Sequence, residues 1–188
     1  RAMESAEVLE LFRESGAMLE GHFELSSGLH SDRYFQCALL LQNPQRAERL
    51  AKALAPRIPK VDLVVGPALG AVTWAHEMAR ALGVDGLFTE RKDGEMVLRR
   101  GFHIEPGTEV LVVEDVLTTG GSAKEVIRVL QGLGAKVVAV GSILNRSGGN
   151  PFEEFGLPLH CLAEAEVQTW TPADCPLCKD GSVAIKPG

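Results

Sequence analysis

Apolar residues recur along this chain in two alternating patterns, and the first has the period of a helix. Residues 6–12 place Val8 and Phe12 one turn apart on the same helix face. Pro44 suits the first turn of a second helix, and Gly83 suits the end of a third. The pattern predicts helices over 6–12, 44–58, 71–82 and 122–134.

The second pattern consists of short, continuous apolar runs, which are typical of buried strands. The runs VDLVVG and KVVAVGSIL are the clearest of them. Strands are predicted over 61–66, 84–89, 110–113, 136–144 and 159–163, with a strand-and-turn segment over 16–36 and a hairpin arm near 96–101. Strands that alternate with helices of about 12 residues predict an α/β fold, in which helices flank a parallel sheet on both faces.

Polar and glycine-rich segments follow three of the predicted strands. These segments are residues 66–70, 114–122 and 145–146. Ligands of open parallel sheets bind beyond the carboxyl ends of the strands. We therefore expect the three loops to converge on one cleft.

The segment VLVVEDVLTTGGS, residues 110–122, carries the most specific chemistry. Its apolar run leads into Glu114 and Asp115, and a turn of small and hydroxyl residues then opens a helix. Amide groups at a helix N-terminus bind phosphate, and ionised carboxylates accept hydrogen bonds from hydroxyls. Together the two parts predict a site for a phosphorylated sugar. Capping of the helix by Ser122 is compatible with this role.

Composition limits the classes of function. The chain has 188 residues, 45% of them hydrophobic and 23% charged, which is enough for one globular domain with a full core. A net charge of −6 disfavours a nucleic-acid-binding surface. No apolar run reaches about 18 residues and no signal peptide is visible, so we expect a cytoplasmic protein without a membrane partner.

The four cysteines leave several interpretations open. Cys175 and Cys178 have the spacing of half a zinc site. His160 with Cys161, or Cys37, could complete it only if folding or a partner brought them close. A redox pair is a second alternative, and an ordinary C-terminal turn without metal is the favoured interpretation.

The motif at 110–122 resembles the phosphoribosyl pyrophosphate (PRPP) signature of type I phosphoribosyltransferases. Three further segments resemble the orotate phosphoribosyltransferase family: FELSSGLHSDRYFQ, VVGPALG and LNR. The ending PADCPLCKDG is similar to that of shorter bacterial members. The resemblance covers about residues 11–181, and it implies one domain over 1–188 with a small hood from about 16–36 plus C-terminal residues.

The resemblance also implies how PRPP binds. Glu114 and Asp115 would hold the ribose hydroxyls, the turn at 118–122 the 5′-phosphate, and the loop at 66–70 the pyrophosphate, with a cis peptide at Ala68–Leu69. The PRPP residues expected are Gly66, Pro67, Ala68, Leu69, Gly70, Arg91, Lys92, Glu114, Asp115, Val116, Leu117, Thr118, Thr119, Gly120, Gly121 and Ser122. Mg²⁺ is implied as a cofactor bound mainly through PRPP, and no dedicated protein metal site is expected.

A mobile basic arm over about 90–103 is the next implication. Many family members carry a Lys in the pyrophosphate loop, where Leu69 and Gly70 stand here, so cationic help must come from elsewhere. Arg91 and Lys92 match the family's arm pair, and with Asp115 they are the expected catalytic residues. The turn chemistry of Asp93-Gly94 favours a hairpin. Candidates for the family's further arm Lys and His are Arg99, Arg100 and His103.

In this family the arm closes over the active site of a partner subunit, which implies a homodimer. Its closure would exclude water and bring positive charge to the leaving group.

For the base, Arg146 would bind the orotate carboxylate, because a guanidinium matches a carboxylate bidentately. Thr118 is expected near orotate as well. In the hood, Ser26 stands where the family has a Lys, and Ser27 is a candidate contact. Tyr34 and Phe35 could stack on the base or belong to the core.

The implied reaction joins orotate to the ribose of PRPP, giving orotidine 5′-monophosphate and pyrophosphate in de novo pyrimidine biosynthesis. Two alternatives remain open, namely a phosphoribosyltransferase for a purine, uracil or xanthine, and a regulator that binds PRPP without catalysis. A purely structural partner protein would leave the acid pair and the glycine-rich turn unexplained.

Overall fold

Two β-sheets of different size organise the chain. The computed structural model describes residues 2–25 and 27–187. Helices α1 to α6 are Ser5–Glu14, Cys37–Leu41, Pro44–Leu54, Ala71–Leu82, Gly121–Gly132 and Pro176–Lys179. Strands β1 to β9 are Met18–Glu24, His30–Phe35, Leu63–Pro67, Asp85–Lys92, Glu95–Val97, Glu109–Leu117, Lys136–Asn145, Leu159–Glu164 and Thr169–Trp170. Short 3₁₀ turns lie at Ala55–Arg57, Glu153–Phe155 and Pro172–Asp174.

The larger sheet has the strand order β5-β4-β3-β6-β7-β8. Strands β4, β3, β6, β7 and β8 are parallel, and β5 returns antiparallel to β4. The parallel α/β class predicted from the alternating pattern is therefore confirmed. Because β6 lies between β3 and β7, the loops after these three strands leave the sheet at one edge.

Apolar side chains cover this sheet on both faces, as its continuous apolar strands require. On one face, Val64 and Val113 pack with Trp74 of α4. On the other, Val65 and Val112 pack with Ile127 of α5 and other residues of that helix. The two hydrophobic layers hold β6 rigidly between α4 and α5.

The smaller sheet has the order β1-β2-β9, with antiparallel pairs. It combines the N-terminal hairpin with a short strand near the C-terminus, and Phe23 also bridges to Ile185. The amide of Glu24 donates to the carbonyl of Ile185 at 2.8 Å. The last residues of the described chain are thus fastened to β1.

Several boundaries differ from the sequence-based expectations. The strand expected to end at residue 113 continues through the acid pair to Leu117, and the helix expected over 44–58 ends at Leu54, because Pro56 shifts the chain into a 3₁₀ turn. Ser122 does not cap α5, because Gly120 holds the capping position. Helices α2 and α6 and strand β9 were not predicted, since each is too short to show a period.

Among the described helices, none combines the length and apolar character needed to cross a membrane.

Gly86 allows α4 to approach β4 closely. A Cβ at this position would lie 2.9 Å from the Cβ of Ala79 and 3.1 Å from the carbonyl oxygen of Ala75. We expect Gly86→Ala to destabilise the protein by about 1–3 kcal/mol in urea unfolding, because helix and strand must separate. Gly132→Ala is the matched control, since the new methyl group meets nothing within 4 Å and should leave stability unchanged or raised. Equal stability of both variants would contradict this packing.

Candidate active site

The loop at 66–70 leaves β3 at the carboxyl edge of the large sheet. Gly66 is tightly enclosed, because a Cβ there would lie 3.1 Å from both Ala71 and Val113. The peptide bond between Ala68 and Leu69 is cis, as expected from the family resemblance. The amide of Ala68 donates to the carbonyl of Thr89 at 2.7 Å, which fixes the loop to β4.

The loop packs directly against the acid pair. A Cβ on Gly70 would lie 3.0 Å from Oδ2 of Asp115. A larger residue would crowd this oxygen, so the loop or the carboxylate would have to shift by a few tenths of an ångström. Leu69 projects outward and is 87% exposed, so it supplies no charge to the cleft.

Glu114 and Asp115 lie within β6 near its carboxyl end. The amide of Val116 donates to Oδ1 of Asp115 at 2.8 Å, and the amide of Asp115 donates to Oε1 of Glu114 at 3.3 Å. Burial raises the pKa of Glu114 well above its usual range, and the neighbouring Asp115 carboxylate raises it further. Glu114 is therefore protonated at neutral pH in this state and can donate a hydrogen bond as well as accept one.

The turn at 118–122 opens helix α5. Gly120 has φ +82° and would place a Cβ 2.9 Å from Pro151, so both backbone and space require glycine. No side chain caps the helix, although the hydroxyl of Thr119 accepts from the amide of Gly121 at 3.3 Å. The first turn of α5 thus keeps amide groups available for an anion.

A cavity of about 350 Å³ joins this turn to the arm. It is lined by Arg91, Glu114, Val116, Leu117, Thr118, Thr119, Gly120, Gly121, Ser122 and Glu125. The structure therefore brings the expected phosphate turn, one acid of the pair and one arm arginine to a single space.

Arg91 does not offer a free charge in this state. Its two terminal nitrogens donate to the two carboxylate oxygens of Glu125 at 2.8 and 2.7 Å. The ion pair lowers the pKa of Glu125 and keeps Arg91 charged. Glu125 was missed by the sequence analysis. Its position one turn into α5, facing the arm, becomes visible only in three dimensions.

The arm forms the hairpin predicted from Asp93-Gly94. Both residues have positive φ, at 53° and 82°, as a tight two-residue hairpin turn requires. Glu95–Val97 then pairs antiparallel with β4.

The other basic residues of the arm differ in their partners. Arg100 pairs with Glu90 through Nε at 2.5 Å and Nη2 at 2.9 Å, and Arg99 lies 3.8 Å from the same carboxylate. His103 pairs with Glu105. Lys92 is exposed and forms no ion pair with any residue in 2–25 or 27–187, so it is the arm cation that is free to meet an anion.

Arg146 follows β7, beside the end of β6. Its amide donates to the carbonyl of Leu117 at 2.8 Å, which places it next to Thr118. The guanidinium lies 5.1 Å above the ring centre of Phe35. Its Nε is buried without a hydrogen-bond partner among the described residues, and burial lowers the pKa of the side chain. No carboxylate within residues 2–25 and 27–187 forms an ion pair with this half-buried cation.

The hood aromatics contact protein in this state. Phe35 packs edge-on against Phe12 at 5.8 Å and supports Arg146, while Tyr34 lies 6.0 Å from Phe23. Ser27 accepts from the amide of Leu29 at 3.3 Å. Ser26 lies outside the described residues.

Four residues outside this cleft also come together. His22 and His30 of the small sheet meet Cys175 and Cys178. The partners considered for the two cysteines, namely Cys37 or His160 with Cys161, are not part of this group. No local spacing connects residues about 150 positions apart.

The comparisons with known proteins agree with this geometry. The family described as "Phosphoribosyl transferase domain" matches residues 38–157, which places the chain in that class. The orotate phosphoribosyltransferase of Carboxydothermus hydrogenoformans is 50% identical over 97% of this chain and 96% of its own length. The chain therefore belongs to the orotate phosphoribosyltransferase family.

Solved structures are similar over most of the chain. The orotate phosphoribosyltransferase of Mycobacterium tuberculosis H37Rv, in complex with inorganic phosphate, has a TM-score of 0.67 at 27% identity and covers 85% of this chain and 95% of its own. The enzyme of Aeropyrum pernix has a TM-score of 0.66 at 27% identity, with coverages of 84% and 93%.

The raised pKa of Glu114 predicts a pH-dependent difference in stability. The folded chain keeps this proton where the unfolded chain has lost it, so wild-type stability falls as pH rises above the unfolded pKa. We therefore expect the melting temperature of Glu114→Gln, relative to that of the wild type, to increase as the pH is raised from about 5 to about 8. The control Glu125→Gln should differ from wild type by a constant amount over this window, because Arg91 lowers the pKa of Glu125 and the pH dependence of its contribution therefore lies below about pH 5. A pH-independent difference for Glu114→Gln would show that the carboxyl titrates normally.

Proposed function

We propose that this cleft transfers the ribose 5-phosphate of PRPP to orotate, giving orotidine 5′-monophosphate and pyrophosphate in de novo pyrimidine biosynthesis. The observation that carries the proposal is Arg146, a half-buried arginine that follows β7 next to Leu117, just before the phosphate turn, and has no ion pair with any described residue. Orotate is a base that carries a carboxylate, so it supplies the missing anion. Hypoxanthine and uracil do not.

PRPP would span the carboxyl edge of the sheet. The amides of 118–122 hold its 5′-phosphate, and the backbone of 66–70 holds its pyrophosphate. Asp115 accepts from one ribose hydroxyl, while protonated Glu114 can donate to one oxygen and accept from another. Val116 and Leu117 connect the acid pair, which would bind the ribose, to the turn that would bind the 5′-phosphate.

The orotate ring would lie between the ribose and Arg146. Two parallel hydrogen bonds from the guanidinium bind its carboxylate, and Phe35 holds the guanidinium plane. Thr118 lies beside Arg146 through the contact with Leu117 and offers a hydroxyl to the base.

Departure of pyrophosphate would require positive charge from Arg91 and Lys92. Arg91 is held by Glu125 in this state, so the phosphates of PRPP must displace that carboxylate to recruit it. Asp115 would stabilise the positive charge that grows on the ribose as the bond to pyrophosphate breaks. The reaction needs little proton transfer, so positioning and charge account for most of the catalysis.

Mg²⁺ would enter with PRPP. Its ligands would be mainly the pyrophosphate and ribose oxygens of PRPP, with water completing the coordination. The bound ion adds positive charge to the leaving pyrophosphate.

The chain would act as one domain and as a cytoplasmic homodimer. The small sheet is then the hood over the base, together with the C-terminal residues that pair with it. The hairpin within 90–103 is the arm that closes over the partner's cleft. Its Lys92 is exposed and has no ion pair among the described residues, which leaves this charge available to a site beyond its own chain.

The choice of base is tested by substrate comparison and by Arg146. We expect turnover with orotate and none with uracil or hypoxanthine. Arg146→Lys should lower kcat/KM for orotate by about 10- to 100-fold, because a lysine cannot form the paired hydrogen bonds.

Arg128→Lys is the matched control, since Arg128 also stacks on a phenylalanine, at 5.6 Å from Phe155, but lies outside the cleft. Robust turnover of a purine without orotate turnover would overturn the choice of base. PRPP binding without any turnover would favour a regulator.

The shared arm is tested by mixing two inactive variants. Lys92→Ala removes the arm charge, and Asp115→Asn removes the carboxylate at the ribose. Random exchange of subunits should restore about a quarter of the wild-type activity, since each mixed dimer has one complete site. Mixed dimers that copurify through two different tags but remain inactive would show that each arm serves its own chain.

A further inference from the structure

Four side chains of the types that bind transition metals meet where the small sheet contacts the C-terminal segment. His22 lies in β1, and His30 begins β2. Cys175 immediately precedes α6, and Cys178 lies within it. Their ligand atoms all lie within 4.8 Å of one another. His22, His30 and Cys175 are buried, and Cys178 is partly buried.

The ligand atoms of these four residues lie close around one common position. Nε2 of His22 lies 3.1 Å from Nδ1 of His30, 3.4 Å from Sγ of Cys175 and 3.6 Å from Sγ of Cys178. Sγ of Cys178 is also 3.3 Å from Nδ1 of His30. A ring nitrogen of a neutral imidazole carries either one proton or one in-plane lone pair, so ordinary hydrogen bonds do not account for three such contacts at Nε2.

These separations match the edges of a tetrahedral zinc site. With Zn–N near 2.05 Å and Zn–S near 2.3 Å, neighbouring ligands lie about 3.3 Å apart for two nitrogens and about 3.6 Å for nitrogen and sulfur. All four contacts agree with these edges to within about 0.3 Å. Two cysteines and two histidines also form a common closed set of ligands for structural zinc.

A further hydrogen bond orients the first histidine. Nδ1 of His22 lies 2.9 Å from the hydroxyl of Ser182, which can accept a hydrogen bond from a protonated Nδ1. In that tautomer Nε2 keeps its lone pair and faces the other three ligands, as metal-binding histidines require.

We propose that His22, His30, Cys175 and Cys178 bind one structural Zn²⁺ ion. Binding releases the two thiol protons, so two thiolates and two neutral imidazoles balance the charge of the ion. The ion would join β1 and β2 to α6, next to the pairing of Phe23 with Ile185. Phe35 is the last residue of β2, and its ring lies under the guanidinium of Arg146. By fixing β2, the zinc site would also stabilise the position of that ring.

The test is metal content together with cobalt spectroscopy. Protein purified without chelator, then incubated with Zn²⁺ and desalted, should retain one zinc per chain. Co²⁺ in its place should give the intense visible absorption of a tetrahedral thiolate site. Cys178→Ser should lose the ion and the cobalt signal, while Cys161→Ser, the matched control on β8, should keep both.

Ser182→Ala separates metal binding from folding. It leaves all four ligands in place and should weaken zinc binding by about 10- to 100-fold without unfolding the chain. A wild-type protein that retains no zinc, or that holds a Cys175–Cys178 disulfide under reducing purification, would overturn the proposal. Stoichiometric zinc in Cys178→Ser would overturn it as well.

Discussion

The contact between Gly70 and Asp115 is the constraint around which the cleft is built. It places the loop after β3 against a carboxylate of β6, so closely that a Cβ on Gly70 would lie 3.0 Å from Oδ2 of Asp115. On the other side of β6, the carbonyl of Leu117 accepts from the amide of Arg146, so the loop after β7 is fixed too. Parallel strands send all three loops to one edge, and these contacts set the distances between the subsites.

The charged groups around the cleft form two sets, those that are already neutralised and those that remain available to a ligand. Arg91 is neutralised by Glu125, Arg100 by Glu90, and Glu114 by its own proton. Arg146 and Lys92 keep their charges without an ion-pair partner in the described ranges. In the proposed function, the base carboxylate would therefore meet a prepared site, whereas the phosphates would first have to rearrange the arm. This difference would favour closure of the arm only after PRPP has bound.

The sequence predicted the sheet, the convergence of its loops and most of the cleft, because each depends on local patterns. A buried strand, a glycine-rich turn and Asp93-Gly94 all carry their signal within a few residues. Glu125 as the partner of Arg91, and Phe35 as the support of Arg146, depend on helix and strand packing that no local pattern encodes. The group of His22, His30, Cys175 and Cys178 was missed for the same reason.

The central claim is that Arg146 binds the carboxylate of the base, whereas the motif at 110–122 binds only the ribose 5-phosphate. A crystal structure with orotidine 5′-monophosphate tests it most directly. The account predicts the phosphate on the amides of 118–122, the ribose hydroxyls at Glu114 and Asp115, and the carboxylate paired bidentately with Arg146. A carboxylate bound elsewhere, with Arg146 still stacked on Phe35 and unpaired, would contradict it.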